Sequence, residues 1–147
     1  MPRATTLYFG DKDYDDDSVI RTPQGIPGFS DETSFLLIQI PEQHPLVYLQ
    51  STRTPSVCFP GLPVLALHPQ YELEISEEDS CMLEVGIRPQ IGTEVLALTL
   101  LSPAEGGATA NLLAPIVVNL ARRLALQVVN HIGEYTCRES VEEAVAA

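Results

Sequence analysis

The densest run of potential metal ligands is Asp11-Lys-Asp-Tyr-Asp-Asp-Asp17. Oxygen donors at alternate positions suit a hard cation such as calcium, but a calcium loop also needs glycine at its sixth position and a bidentate glutamate at its twelfth. Counting from Asp11, those positions hold Asp16 and Thr22, so the run reads as a solvated acidic turn. His44, His68 and His131 are widely separated, with no hairpin or helical ligand spacing to a cysteine or carboxylate. A zinc site requires four such groups to converge, so surface or loop positions are expected and no metal. Cys58 or Cys137 could serve as a nucleophile only if a neighbour depressed its pKa. No such neighbour is adjacent, and a buried small hydrophobe is the expected role. GxSxG, HExxH, a P-loop and a GxGxxG after a strand are all missing. Neither catalytic residues nor a cofactor are expected.

The charge points elsewhere. Among 147 residues, 20 are acidic and 8 basic, a formal net charge of −12. Binding to nucleic acid needs Lys and Arg to displace counterions from phosphates, so direct contact with RNA or DNA is not expected. A basic protein partner is favoured, because complementary charge accelerates encounter and rejects acidic competitors. Three cysteines (Cys58, Cys81, Cys137) with no CxxC pair, and an opening stretch without an apolar leader, read as a reducing, cytoplasmic setting. Asn111–Val129 is the most apolar stretch, yet Pro115, Asn119, Arg122 and Arg123 interrupt it. It falls short of the roughly 18 uninterrupted apolar residues that span a bilayer, so no membrane contact is expected.

The elements that would position these charges are short strands. Twelve prolines punctuate the chain, and each removes a donor and forces its predecessor towards extended geometry. Ser34–Ile40 and Pro45–Ser51 are rich in strand formers and flank a loop of hairpin length, and Glu94–Leu101 reads as a further buried strand. Tyr71–Ile75 alternates Tyr71, Leu73 and Ile75 against Glu72 and Glu74, the two-residue period of a strand with a core face and an acidic face. Next, Ser76 stands as an N-cap with Asp79 three residues on, acidic residues fill the first turn and Gly86 marks a stop, so one short helix is expected. Ser102–Ala110 reads as a loop tipped by Gly106 and Gly107, and Gly25–Gly28 as a tight turn. Within Asn111–Val129 the paired valines and Pro115 favour two strands around the polar Asn119–Arg123 break over one helix. The expected fold is mainly all-β: a small antiparallel β-barrel-like single domain over 1–147, with 142–147 a flexible tail.

Several segments together resemble a known family. Phe9–Phe29, Val47–Ser51, Thr54–Phe59 and above all "ANLLAPIVVN…QVV…YTCR" (Ala110–Arg138) are similar to FliW, the bacterial flagellar assembly factor, over about residues 7–141. The most specific piece is "NLLAPIVVN" followed by Gln127, Tyr135 and Arg138. The family pattern differs in having an aromatic at Thr22, a glycine at Ala125 and a proline near Ser140, and it is richer in aromatics over Phe59–Gln70. The resemblance implies a small β-barrel-like protein that binds other proteins and is not a catalyst. Its implied partners are CsrA, a dimeric RNA-binding translational repressor, and flagellin. Binding CsrA would relieve repression of the flagellin message, and flagellin export would free the factor to do so.

On this reading Glu72, Glu74, Glu77 and Glu78 form part of the CsrA contact, with a merely solvated acidic face as the alternative. Asn111 and Asn119 either satisfy turn and ladder groups or meet a partner. One of Leu112 and Leu113 is expected to be an exposed apolar anchor while the other enters the core, with Ile116 and Val118 in the core. Tyr135 suits an interface and could equally cap the barrel. Competing expectations are a flagellin chaperone without CsrA activity and a barrel that holds a small ligand.

Overall fold

The computed structural model describes residues 2–105 and 107–141. An N-terminal hairpin comprises β1 (Arg3–Thr6) and β2 (Gly10–Asp13). Then follow β3 (Ile20–Arg21), β4 (Ser34–Gln39), β5 (Val47–Ser51), β6 (Cys58–Pro63), α1 (Val64–Leu67) and α2 (Glu77–Leu83). The chain continues through β7 (Val95–Ala104), β8 (Gly107–Ala110), β9 (Ile116–Asn119), β10 (Leu124–Gln127) and β11 (Glu139–Ser140). The sheet order β7-β6-β5-β4-β3-β10-β9 closes because β7 also pairs with β9, from Val95 opposite Asn119 to Leu98 opposite Ile116. Closure into a seven-stranded barrel removes the edges that an open sheet would expose. The pairings between these named strands are antiparallel except for one parallel contact, Leu124 with Arg21 of β3. The far half of β7 leaves the ring to pair with β8, which in turn carries β11.

The apolar run from Asn111 onwards is explained by two cores lying on either side of the same strands. Ile116 and Val118 of β9, Leu98 of β7 and Ala125 of β10 face the barrel interior with Phe35, Val47 and Leu49. Val117, Val95, Ala97 and Leu126 face outwards, where Leu67, Tyr71, Leu73, Ile75 and Leu83 cover them. All four residues of β9 are buried, and a strand buried on both faces loses the alternating pattern and reads as continuously apolar. The expected two strands are β9 and β10, and Asn119–Arg123 is their turn. Asn119 organises it: its Oδ1 accepts from the backbone N–H groups of Ala121 and Arg122, and its Nδ2 donates to the Leu83 carbonyl at 2.8 Å. That bond ties the turn to the end of α2.

Several expectations are corrected. Tyr71–Ile75 keeps its alternating burial but belongs to no strand, for a reason given below. Among the described residues α2 is joined by a second short helix, because α1 adds one turn with Pro63 as its N-cap residue. In α2 the Ser76 side chain caps the Asp79 N–H as expected, but the helix stops before Gly86. Glu84 adopts the left-handed conformation with φ 59°. The N–H groups of Glu84 and Val85 return to the carbonyls of Cys81 and Ser80, the paired closure of a Schellman motif with glutamate in glycine's usual place. Most of the expected loop at Ser102–Ala110 is a hairpin, since β7 runs to Ala104 and β8 starts at Gly107. Gly106 and the expected tail at 142–147 lie outside the described residues. Cys137 is exposed and Cys58 half-buried, so neither is the buried hydrophobe expected.

Candidate functional site

The second core needs a lid over β7, β9 and β10, and the chain supplies it as an extended segment, Tyr71–Ile75. A strand's backbone groups ordinarily bond to a neighbouring strand, and buried ones must find some partner. Here Asn130, 5% exposed, stands in for the neighbour. Its Nδ2 donates to the Glu72 carbonyl at 2.7 Å and its Oδ1 accepts from the Glu74 N–H at 3.0 Å. The His131 N–H bonds to the Glu74 carbonyl, the Ile75 N–H to the Ile87 carbonyl, and the Glu72 N–H to the Tyr135 hydroxyl at 3.1 Å. One side-chain amide, one phenol and two isolated backbone bonds thus replace regular pairing, so Tyr71, Leu73 and Ile75 stay turned to the core while Glu72 and Glu74 face out.

The same 128–136 stretch holds the first half of the apolar signature. The Val128 and Asn130 N–H groups bond to the carbonyls of Pro115 and Leu113, and the N–H groups of Leu112 and Leu113 both bond to the Thr136 carbonyl. Tyr71 donates its hydroxyl proton to the Leu112 carbonyl. Its ring packs against Tyr135 at 4.3 Å between centroids, with the His68 ring 5.3 Å from Tyr135. Residues 128–136 therefore act as a strap that joins Glu72 and Glu74 to Leu112, Leu113 and Tyr135.

Each expected site residue has a definite place. Glu72 is exposed. Glu74 is half-buried and paired with Arg88 at 2.9 Å, which compensates its charge. Glu77 and Glu78 are exposed in the first turn of α2, where open N–H groups and the helix dipole favour negative charge. Leu112 is 1% exposed and belongs to the core, whereas Leu113 is 37% exposed and is the candidate anchor. Asn111 is committed internally: its Oδ1 accepts from the Ala114 N–H and its carbonyl accepts from the Thr99 hydroxyl. Tyr135 is half-buried and both lids the second core and holds Glu72.

Sequence reasoning missed Asn130, Arg88, Ile132 and the exposed Val129. An asparagine after a strand ordinarily reads as a turn residue, and its partners here lie 56 and 58 positions away, beyond any local pattern. Arg88 stands 14 positions from Glu74 and carries no helical spacing to it. Among the described residues, no group of three or more His, Cys, Asp and Glu is placed to hold a metal ion, and no helix is long and apolar enough to cross a membrane.

Burial within this layer pushes the Tyr71 phenol up to about 12, from an ordinary value of 10. In a spectrophotometric titration Tyr71 is expected to ionise above pH 11, identified by the loss of that step in Tyr71→Phe. The neutral form is the one the folded state favours, so this group's contribution to stability is intact below pH 10 and is lost as the pH rises from 10 to 12. Ionisation of Tyr71 at its ordinary value in the folded protein would contradict the buried lid.

The FliW protein family model matches residues 3–141 of this chain. The flagellar assembly factor FliW of Syntrophomonas wolfei is 32% identical over 148 residues, covering 100% of this chain and 92% of that protein. The flagellar assembly factor FliW of Heliobacterium modesticaldum is 34% identical over 145 residues, covering 99% and 94%. That of Bacillus subtilis is 32% identical over 136 residues, covering 92% and 94%. A crystal structure of the flagellar assembly factor FliW superimposes with a TM-score of 0.80 at 32% identity, covering 93% of this chain and 94% of that one.

Proposed function

The chain belongs to the FliW family, and on that premise we propose that it is a cytoplasmic protein-binding regulator of flagellum assembly. It binds the translational repressor CsrA, relieving repression of the flagellin message, and it binds flagellin, so that flagellin synthesis follows flagellum assembly. The observation that carries this reading is the strap at 128–136, which sets exposed Leu113 and half-buried Tyr135 into one structural unit with Glu72 and Glu74. An apolar anchor with a charged surround is the arrangement of an interface hot spot, and a carboxylate face suits a partner whose own surface must hold RNA phosphates.

With a net charge of −12, the protein repels RNA, so its effect on a message acts through the repressor. No catalytic step is assigned to it. The alternative of a small ligand held in the barrel has little in its favour, because Phe35, Leu49, Leu98 and Ile116 fill the interior with 2% exposure or less. A titration of this protein into CsrA loaded with labelled flagellin leader RNA is expected to release the RNA at low salt, and added flagellin to restore the RNA complex. RNA retained at every concentration, with no complex formed by CsrA, would leave flagellin binding alone as the function.

A further inference from the structure

An open groove of about 440 Å³ lies beside the acidic segment, where Pro69 and the end of α1 face the loop Arg88–Ile91 and the strap. Its floor is apolar and buried, formed by Leu73 and Pro89, and half-buried Leu65, Ile91 and Ile132 form its walls. Glu72 stands exposed on the rim and makes no ion pair among the described residues. Arg88, also on the rim, is held by Glu74 at 2.9 Å, and the Glu94 Oε1 accepts from the Gln90 N–H at 3.0 Å, so the charge left uncompensated there is negative. An apolar floor would accept a lipophilic group of any origin, but the rim charge selects one with a cation beside it.

We propose that this groove receives a segment of the basic protein partner, one that inserts a large apolar side chain between Leu65 and Ile132 and sets an adjacent Lys or Arg against Glu72. This rests on the protein-binding reading above and adds to it the element that gives specificity. Charge alone attracts any basic surface, and its effect is screened by salt. An apolar side chain desolvated in a fitted groove contributes to residence time and is insensitive to salt.

The two contributions separate experimentally. Binding of full-length protein to CsrA is measured at about 50 mM and about 300 mM salt, spanning Debye lengths on the order of 14 to 6 Å. Ile132→Ser is expected to weaken the complex about tenfold at both salt concentrations, in keeping with loss of an apolar anchor. Glu72→Gln is expected to weaken it severalfold at low salt and far less at high salt. Gln90 is exposed on the rim, so Gln90→Trp tests the groove without disturbing the core. It should obstruct the mouth and weaken binding by a similar factor, with an unchanged melting temperature. Affinity within twofold of wild type for folded Gln90→Trp, or for folded Ile132→Ser, overturns the groove while leaving the acidic-face reading in place. Failure of the wild-type protein to bind CsrA at low salt overturns the reading and the groove with it.

Discussion

Asn130→Ala is expected to lower the stability of this protein by about 3 kcal/mol and its melting temperature by roughly 6–12 °C. The reason is the number of backbone groups that depend on one side chain. Asn130 satisfies the Glu72 carbonyl and the N–H groups of Glu74 and Ile132, and it does so in a place that water does not reach freely. Each buried group left without a partner costs about 1–3 kcal/mol, and partial solvation after the lid loosens keeps the sum below the upper limit. Asn111→Ala provides the contrast. Its side chain accepts one hydrogen bond, from Ala114, and about 1 kcal/mol is expected. Urea denaturation of the two variants beside wild type measures both. Equal losses would mean that Tyr71–Ile75 is held by its apolar contacts and not through Asn130. The same variant is expected to lose affinity for CsrA, because Glu72 and Glu74 are displayed only while their backbone is tied to the strap.

Reversal of charge at Glu72 and Glu74 together, as Lys, is expected to weaken the CsrA complex about 100-fold at low salt, about 2.7 kcal/mol. The substitution places two cations beside Arg88, whose present partner is Glu74, and converts the rim from net negative to positive. Most of the loss should appear in the association rate and shrink as salt is raised, as expected of exposed charges. Glu77 and Glu78 offer a control of nearly equal charge. They sit in the first turn of α2, where reversal of their charge also costs helix stability, so Glu77→Lys with Glu78→Lys, which changes the net charge by the same amount, should show a smaller binding effect and a measurable change in melting temperature. Unchanged CsrA affinity after the Glu72 and Glu74 reversal, with flagellin binding intact, would place the CsrA contact on another surface of the protein.

Much of the architecture was legible because it rests on local rules. Ser34–Gln39 with Val47–Ser51, the two strands either side of Asn119, and the cap at Ser76 each depend on neighbours a few positions apart. That one of Leu112 and Leu113 would be buried and the other exposed was legible in kind, while the bend held by Asn111 and Ala114 decided which. Other features were not. Glu84 closes α2 in a left-handed conformation that usually falls to glycine, because the bonds from Glu84 and Val85 back to Cys81 and Ser80 and the Ser80 hydroxyl on the Val85 carbonyl hold it there. Tyr71–Ile75 has a strand's period without a strand's partner, because Asn130 replaces the partner from more than 50 positions away.

By itself the sequence determined the class of the fold, the acidic character of the surface and the family, since composition, two-residue periods and the "NLLAPIVVN" signature are carried by residue identity and close spacing. Tertiary structure decided which residues share a surface. Closure of β7 on β9 buries β9 on both faces, the second core then requires a lid, and the strap from Val128 to Thr136 fastens that lid. Those contacts bring Glu72, Ile132 and Tyr135 together and tie the Leu113 backbone to the same strap. They are brought together by pairing between distant segments, whose free energy depends on the whole packed arrangement and on no window of the chain.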